Sequence, residues 1–169
     1  TKTLSVTMKA TPTVAVTNTT TCSGNSVNLT ASGATSYSWN TGAITNTISV
    51  APTGNTTYSV TGTNSVGCTN TKTVSVTVNP SPTVAVNNAS VCSGSTVALI
   101  ASGANSYVWN TTATTPSITV FTTNTNTYSV IGSNTFGCTN VKTATVTVLA
   151  SPTLAVSNAT ICSGSSTNL

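Results

Sequence analysis

The sequence predicts an all-β chain built from tandem Greek-key β-sandwich repeats of 70 residues. Three observations carry that expectation. Cys22, Cys92 and Cys162 recur at a fixed interval of 70, as do Pro12, Pro82 and Pro152. The same shift carries Trp39 to Trp109, Tyr58 to Tyr128 and Cys68 to Cys138, with no insertion or deletion. Roughly three positions in five agree between the two full copies, the mark of a repeat architecture. Thr, Ser, Asn, Val and Ala dominate, a vocabulary of strands and turns, and no helical period is present.

Within one copy, period-two alternation marks the strands. Thr13–Val16 is expected as strand A, running on toward Cys22, where Ser23-Gly24 turns the chain. Val27–Ala31 follows as strand B and Ser36–Trp39 as strand C. A short C′ piece near Ala43–Thr45 precedes strand E at Thr47–Val50. Thr57–Thr63 is strand F, and Cys68–Val78 is the long strand G. Short strands with turn signals between them argue for two sheets packed face to face. Alternation assigns Trp39, Tyr37, Tyr58, Val60, Leu29 and Ile48 to the core, with Trp109 and Tyr128 in the second copy. Phe121 and Phe136 have no aromatic counterpart in the first copy, where Ala51 and Val66 stand.

The copies are expected at 11–80 and 81–150. The opening TKTLSVTMKA aligns with 71–80 and 141–150, so 1–10 reads as the last strand of a preceding repeat. By the same alignment 151–169 reads as the start of a further one. The linkers Asn79-Pro80-Ser81-Pro82 and Leu149-Ala150-Ser151-Pro152 are short and proline-bearing, hence extended and stiff.

Composition excludes much chemistry. The 169 residues include no Asp, Glu or His and four Lys+Arg. Proton transfer near neutral pH uses His, Asp or Glu above all, so triads and carboxylate pairs cannot be assembled, and an enzyme is not expected. Zinc sites built on His or carboxylates and calcium sites lack their ligands, so no metal and no cofactor is expected. Lys2, Lys9, Lys72 and Lys142 form no basic patch, which argues against nucleic acid as a partner. No apolar run is long enough to cross a membrane as a helix. Regularly spaced cysteines suit an oxidising compartment. Six Asn-x-Ser/Thr sequons, at Asn18, Asn28, Asn55, Asn88, Asn110 and Asn158, carry no weight in so Asn- and Thr-rich a chain.

The segment Thr57-Tyr58-Ser59-Val60-Thr61-Gly62-Thr63-Asn64-Ser65-Val66-Gly67 resembles strand F and the F–G turn of immunoglobulin domains, with Val60 and Val130 where that family places a core cysteine. Trp39 and Trp109 resemble its strand-C tryptophan. The whole unit is CSG, then LTASG, YSWNTG, TYSVTGTN and GCTN. It is similar to the Ig-like and PKD-like repeats of Bacteroidota surface proteins, including gliding-motility adhesins and other type IX secretion cargo. The resemblance implies tandem Ig-like sandwiches on an extracellular cell surface, serving as the stalk or filament of an adhesin. Neighbouring repeats are the expected partners; the near absence of charge barely opposes identical chains alongside, and surface glycans are the alternative. Unlike most such repeats, this sequence has no acidic residue, so calcium-based or isopeptide-based stiffening does not carry over.

In an Ig-like sandwich, Cys22 at the A–B turn and Cys68 after the F–G turn lie at opposite ends, about a strand length apart. A disulfide needs Cα atoms within roughly 7 Å. The favoured pairing is therefore Cys22 with Cys138, leaving Cys92 to the following repeat and Cys68 to the preceding one; Cys162 continues the series. Bridges within a repeat, Cys22–Cys68 and Cys92–Cys138, stay open because a small sandwich gains from its own staple. Free thiols are a third reading.

Overall fold

The computed structural model describes residues 2–156, 158 and 160–166. Period-two alternation along the sequence becomes alternation of burial. On β5 (Thr56–Thr63) and β6 (Thr69–Asn79), Val60, Val74 and Val76 are buried while Thr73, Ser75 and Thr77 face solvent. β-branched valines on the inner face suit a pleated, half-buried surface. The chain forms two compact units, residues 1–83 with 133–140, and 84–132 with 141–169. The described residues contain no helix.

In the first unit, β1 (Thr19–Cys22), β6, β5 and β3 (Ser36–Trp39) form one sheet in that order. β2 (Val27–Thr30) and β4 (Thr47–Val50) form the second, which Ala15 extends by a bridge to Ser32. Val14, Leu29, Ala31 and Ile48 from one layer meet Trp39, Val60, Val74 and Val76 from the other, and this is the core. The second unit repeats the plan. β8 (Ala89–Cys92), β13 (Thr139–Leu149), β12 (Asn126–Ser133) and β10 (Ser106–Trp109) form one sheet. β7 (Ala85–Val86), β9 (Ser95–Ser102) and β11 (Ser117–Thr122) form the other. Each unit is an Ig-like β-sandwich.

Three strands differ from the sequence reading. Strand A is not continuous. Only Ala15 pairs with the small sheet, after which the chain crosses over and Thr19–Cys22 runs parallel to β6. The crossover is held by Asn18, whose Oδ1 accepts the Ser75 N–H at 2.9 Å; Asn88 does the same for Thr145 at 2.8 Å. A side-chain carbonyl thus takes the ladder position that the departing backbone leaves. Strand G begins at Thr69, not Cys68, so the cysteine belongs to the turn.

The C′ piece at Ala43–Thr45 is no strand. It folds back under Trp39, whose backbone N–H reaches Ala43 O at 2.8 Å and whose Nε1–H reaches Thr45 O at 2.9 Å. The tight turn there puts Gly42 at φ 87°. Its counterpart Thr112 adopts φ 70° with a β-branched side chain. Such a residue in the left-handed region is strained by about 1–2 kcal/mol. Thr112→Gly is therefore expected to stabilise the second unit by about 1 kcal/mol, offset in part by glycine's extra freedom when unfolded. A higher urea midpoint for the Trp109 emission change in a Trp39→Phe background checks it.

Gly62 is needed for close approach, not for its φ. A Cβ there would lie 2.5 Å from Val14 Cγ2 and 2.7 Å from Ala34 Cβ; Gly132 meets Val84 and Ala104 at the same distances. Strand F can therefore press against the incoming chain only as glycine.

Candidate functional site

The turn after β5 carries the sequence Asn64-Ser65-Val66-Gly67-Cys68-Thr69-Asn70. Asn64 organises it from within, since its Oδ1 accepts the N–H groups of Val66 at 3.2 Å and Cys68 at 2.9 Å. That leaves its amide NH2, which donates to Ala10 O at 2.9 Å. Asn70 donates to Pro12 O at 3.0 Å, and Cys68 Sγ lies 3.8 Å from Lys9 O. The turn therefore grips the extended segment 9–12. An extended, proline-bearing segment outside any sheet has carbonyls that need donors, and the two asparagines supply them.

The arrangement recurs 70 residues on. Asn134 Oδ1 accepts from Phe136 N and Cys138 N, both at 3.0 Å, and its NH2 donates to Pro80 O at 2.7 Å. Asn140 donates to Pro82 O at 3.1 Å, and Cys138 Sγ lies 3.8 Å from Asn79 O. This turn, with its linker, belongs to the first compact unit.

Asn79 is also where Cys22 arrives. The parallel β1–β6 register sets Cys22 opposite Asn79, and Ser23 N–H donates to Asn79 O at 2.9 Å. One residue at the end of β6 thus gathers both sulfurs. Cys22 and Cys138 are joined in a disulfide with a Cα–Cα distance of 5.6 Å, and Cys138 is fully buried. Cys22 is not brought to Cys68, nor Cys92 to Cys138. Cys68 is a half-buried free thiol; Cys92 and Cys162 are exposed free thiols.

Trp39 and Trp109 are 3% and 2% exposed at the centres of the two cores. Tyr58 and Tyr128 are half-buried and pack against those cores from the side. Tyr37 is also half-buried against its core while Tyr107 is buried in the other, and each hydroxyl is bonded to both backbone groups of a nearby alanine, Ala34 and Ala104. Phe121 and Phe136 are 64% exposed. On the β3–β5–β6 sheet the outward positions form hydroxyl rows, Ser36 beside Thr63 beside Thr69 and Ser38 beside Thr61 beside Thr71. Among the described residues no group of three His, Cys, Asp or Glu side chains is placed to hold a metal ion.

Period-two alternation does not single out the paired asparagines. Their signal was present, since Asn-x-x-Gly-Cys-Thr-Asn stands in both copies. Asking which groups satisfy the linker carbonyls would have found them.

Neither a protein family nor a curated protein matches the sequence. Among solved structures, the chain is similar to the titin fragment A168169 at 16% identity and TM-score 0.34, covering 82% of this chain and 98% of that fragment. It is also similar to the N-terminal Ig1-2 module of the Drosophila receptor protein tyrosine phosphatase DLAR, at 11% identity and TM-score 0.34, with 83% and 100% covered. A third likeness is to the N-terminal eight Ig domains of Down syndrome cell adhesion molecule, at 11% identity and TM-score 0.45, covering 81% of this chain and 24% of that one.

Proposed function

We propose that this chain is a segment of the stalk of a secreted cell-surface adhesin, tied by disulfides from each repeat to the next, and that it is not an enzyme. The repeats are 11–80 and 81–150, with 1–10 and 151–169 belonging to their neighbours in a longer array. The observation that carries this reading is the Cys22–Cys138 bond, because it joins a residue of one 70-residue copy to a residue of the next. Cys68 and Cys92 are the unpaired halves of the same pattern and bond to the preceding and following repeats. The resemblance to Bacteroidota gliding-motility adhesins supports an extracellular location and export by type IX secretion. The composition supports a mechanical role, since His, Asp and Glu, the usual groups for proton transfer near neutral pH, are absent from the sequence.

A covalent tie limits bending to the slack between two attachments. The parallel β1–β6 pairing adds resistance in shear, because its hydrogen bonds must break together when the ends are drawn apart. Single-molecule stretching tests this. Purified arrays should be stiffer in oxidant than in reductant, and equal bending stiffness in both would remove the proposal.

A second reading has its own support. The hydroxyl rows and the near absence of charge offer little electrostatic opposition to identical chains lying alongside. Exposed Phe121 and Phe136 would strengthen such contacts or meet surface glycans. Electron microscopy of purified arrays separates the readings, by bundles against single filaments.

A further inference from the structure

We propose that Asn134 and Asn140 are positioning residues for the Cys22–Cys138 bond: they dock the cysteine-bearing turn on the linker before the sulfurs are oxidised. This rests on the tie between repeats proposed above and adds the order in which it is made.

The two copies of the turn supply the argument, because one is oxidised and the other is not. Around Cys138 the grip on Pro80 and Pro82 accompanies a disulfide. Around Cys68 the same grip, on Ala10 and Pro12, accompanies a free thiol. The sulfur sits 3.8 Å from the equivalent linker carbonyl in both. The grip therefore needs no disulfide to hold it, and it presents the sulfur before any bond exists. Cys22 reaches the same place independently, through the β1–β6 register and the Ser23 N–H bond to Asn79 O. Holding two reacting atoms at one residue turns a search by a chain whose cysteines are 116 positions apart into a local encounter.

Oxidation then needs an acceptor for two electrons, which a small-molecule disulfide such as glutathione disulfide supplies. One cysteine thiolate attacks it, forming a mixed disulfide and releasing one glutathione thiolate. The second cysteine thiolate attacks the protein sulfur of that mixed disulfide. The Cys22–Cys138 bond forms, the second glutathione thiolate leaves, and the two protons lost by the cysteines go to the released thiolates.

The test uses Asn134→Asp with Asn140→Asp. A carboxylate at 134 still accepts the two turn N–H groups, so the turn is kept. The donors to Pro80 and Pro82 are replaced by acceptors, so the grip is lost. The full chain is reduced, returned to native buffer, and oxidised with glutathione disulfide; thiols are trapped over time and pairs are mapped by peptide.

The expected result is at least a tenfold slower appearance of the Cys22–Cys138 peptide, with more Cys22 paired elsewhere. The matched variant Asn64→Asp with Asn70→Asp, which loosens the other turn, should oxidise Cys22–Cys138 at the wild-type rate. Equal rates in wild type and the 134/140 variant would overturn the proposal, as would equal slowing in both variants. Neither outcome bears on whether the tie stiffens an array, which stretching reads. Should the double variant lose native tryptophan emission, Asn140→Ala, which removes the donor to Pro82 and leaves the turn around Asn134, carries the same comparison against Asn70→Ala.

Discussion

Trp39→Ala is expected to lower the stability of the first unit by about 3–5 kcal/mol, the usual range for deleting a buried tryptophan. A sandwich this small has little to spare, since whole domains are stable by only about 5–15 kcal/mol. The loss has two parts. Trp39 fills the space between Leu29 and Ile48 on one sheet and Val60 and Val74 on the other, so its removal leaves a cavity that a two-layer core collapses poorly. It also leaves Thr45 O without the indole N–H that holds the turn following β3. Trp39→Phe keeps most of the volume and loses only that donor, so it should cost clearly less. The two full repeats hold one tryptophan each. The effect on the first unit is therefore read by a probe outside the indoles, such as hydrogen exchange at Val60 and Val74. If exchange there changes no more in Trp39→Ala than in Trp39→Phe, the cavity argument fails.

The second large effect is covalent. Cys138→Ser, or reduction of the wild type, is expected to cost the first unit about 2–4 kcal/mol. The cysteines are 116 residues apart, and for a closed loop near that length the chain-entropy estimate approaches about 5 kcal/mol. Less than the full amount is expected, because an unfolded chain that keeps some residual structure has less freedom for the crosslink to remove. Urea unfolding followed by Trp39 emission in a Trp109→Phe background isolates the unit. Cys138→Ser and reduced wild type should share one midpoint, well below that of the oxidised protein. Cys68→Ser should leave the midpoint where it is, and a shift as large as that of Cys138→Ser would mean that the assignment of the tie is wrong.

How much of this was legible beforehand depended on what kind of signal each feature leaves. The fixed interval of 70 and the alternation around Val60 and Val74 are dense, redundant signals, and they gave the strands and the buried tryptophans. The split of strand A left a weaker one. Thr13–Val16 alternates as any edge strand does, and only the polar pair Thr17-Asn18 marks the crossover. Asn18 matters through one hydrogen bond to a residue 57 positions away, which no local pattern reveals. The C′ piece failed for a different reason. Ala43 and Thr45 have the composition of a strand, yet the carbonyls of this stretch are claimed by the two N–H groups of Trp39, and a segment so occupied cannot also pair with a sheet. Tyr58 and Tyr37 both alternate toward the interior, and period alone could not rank them. The two bonds that Tyr37 makes to Ala34 tell more about its role than its phase does.

The grip of Asn134 and Asn140 on Pro80 and Pro82 is made between uncharged partners, amide hydrogens and backbone oxygens. Dissolved salt screens attraction between ions and leaves such bonds nearly untouched. With no carboxylate or imidazole side chain anywhere in the sequence, mildly acid water finds nothing at the grip to protonate. The hold on the linker should therefore be the same in brine as in fresh water, and in sour conditions as in neutral ones.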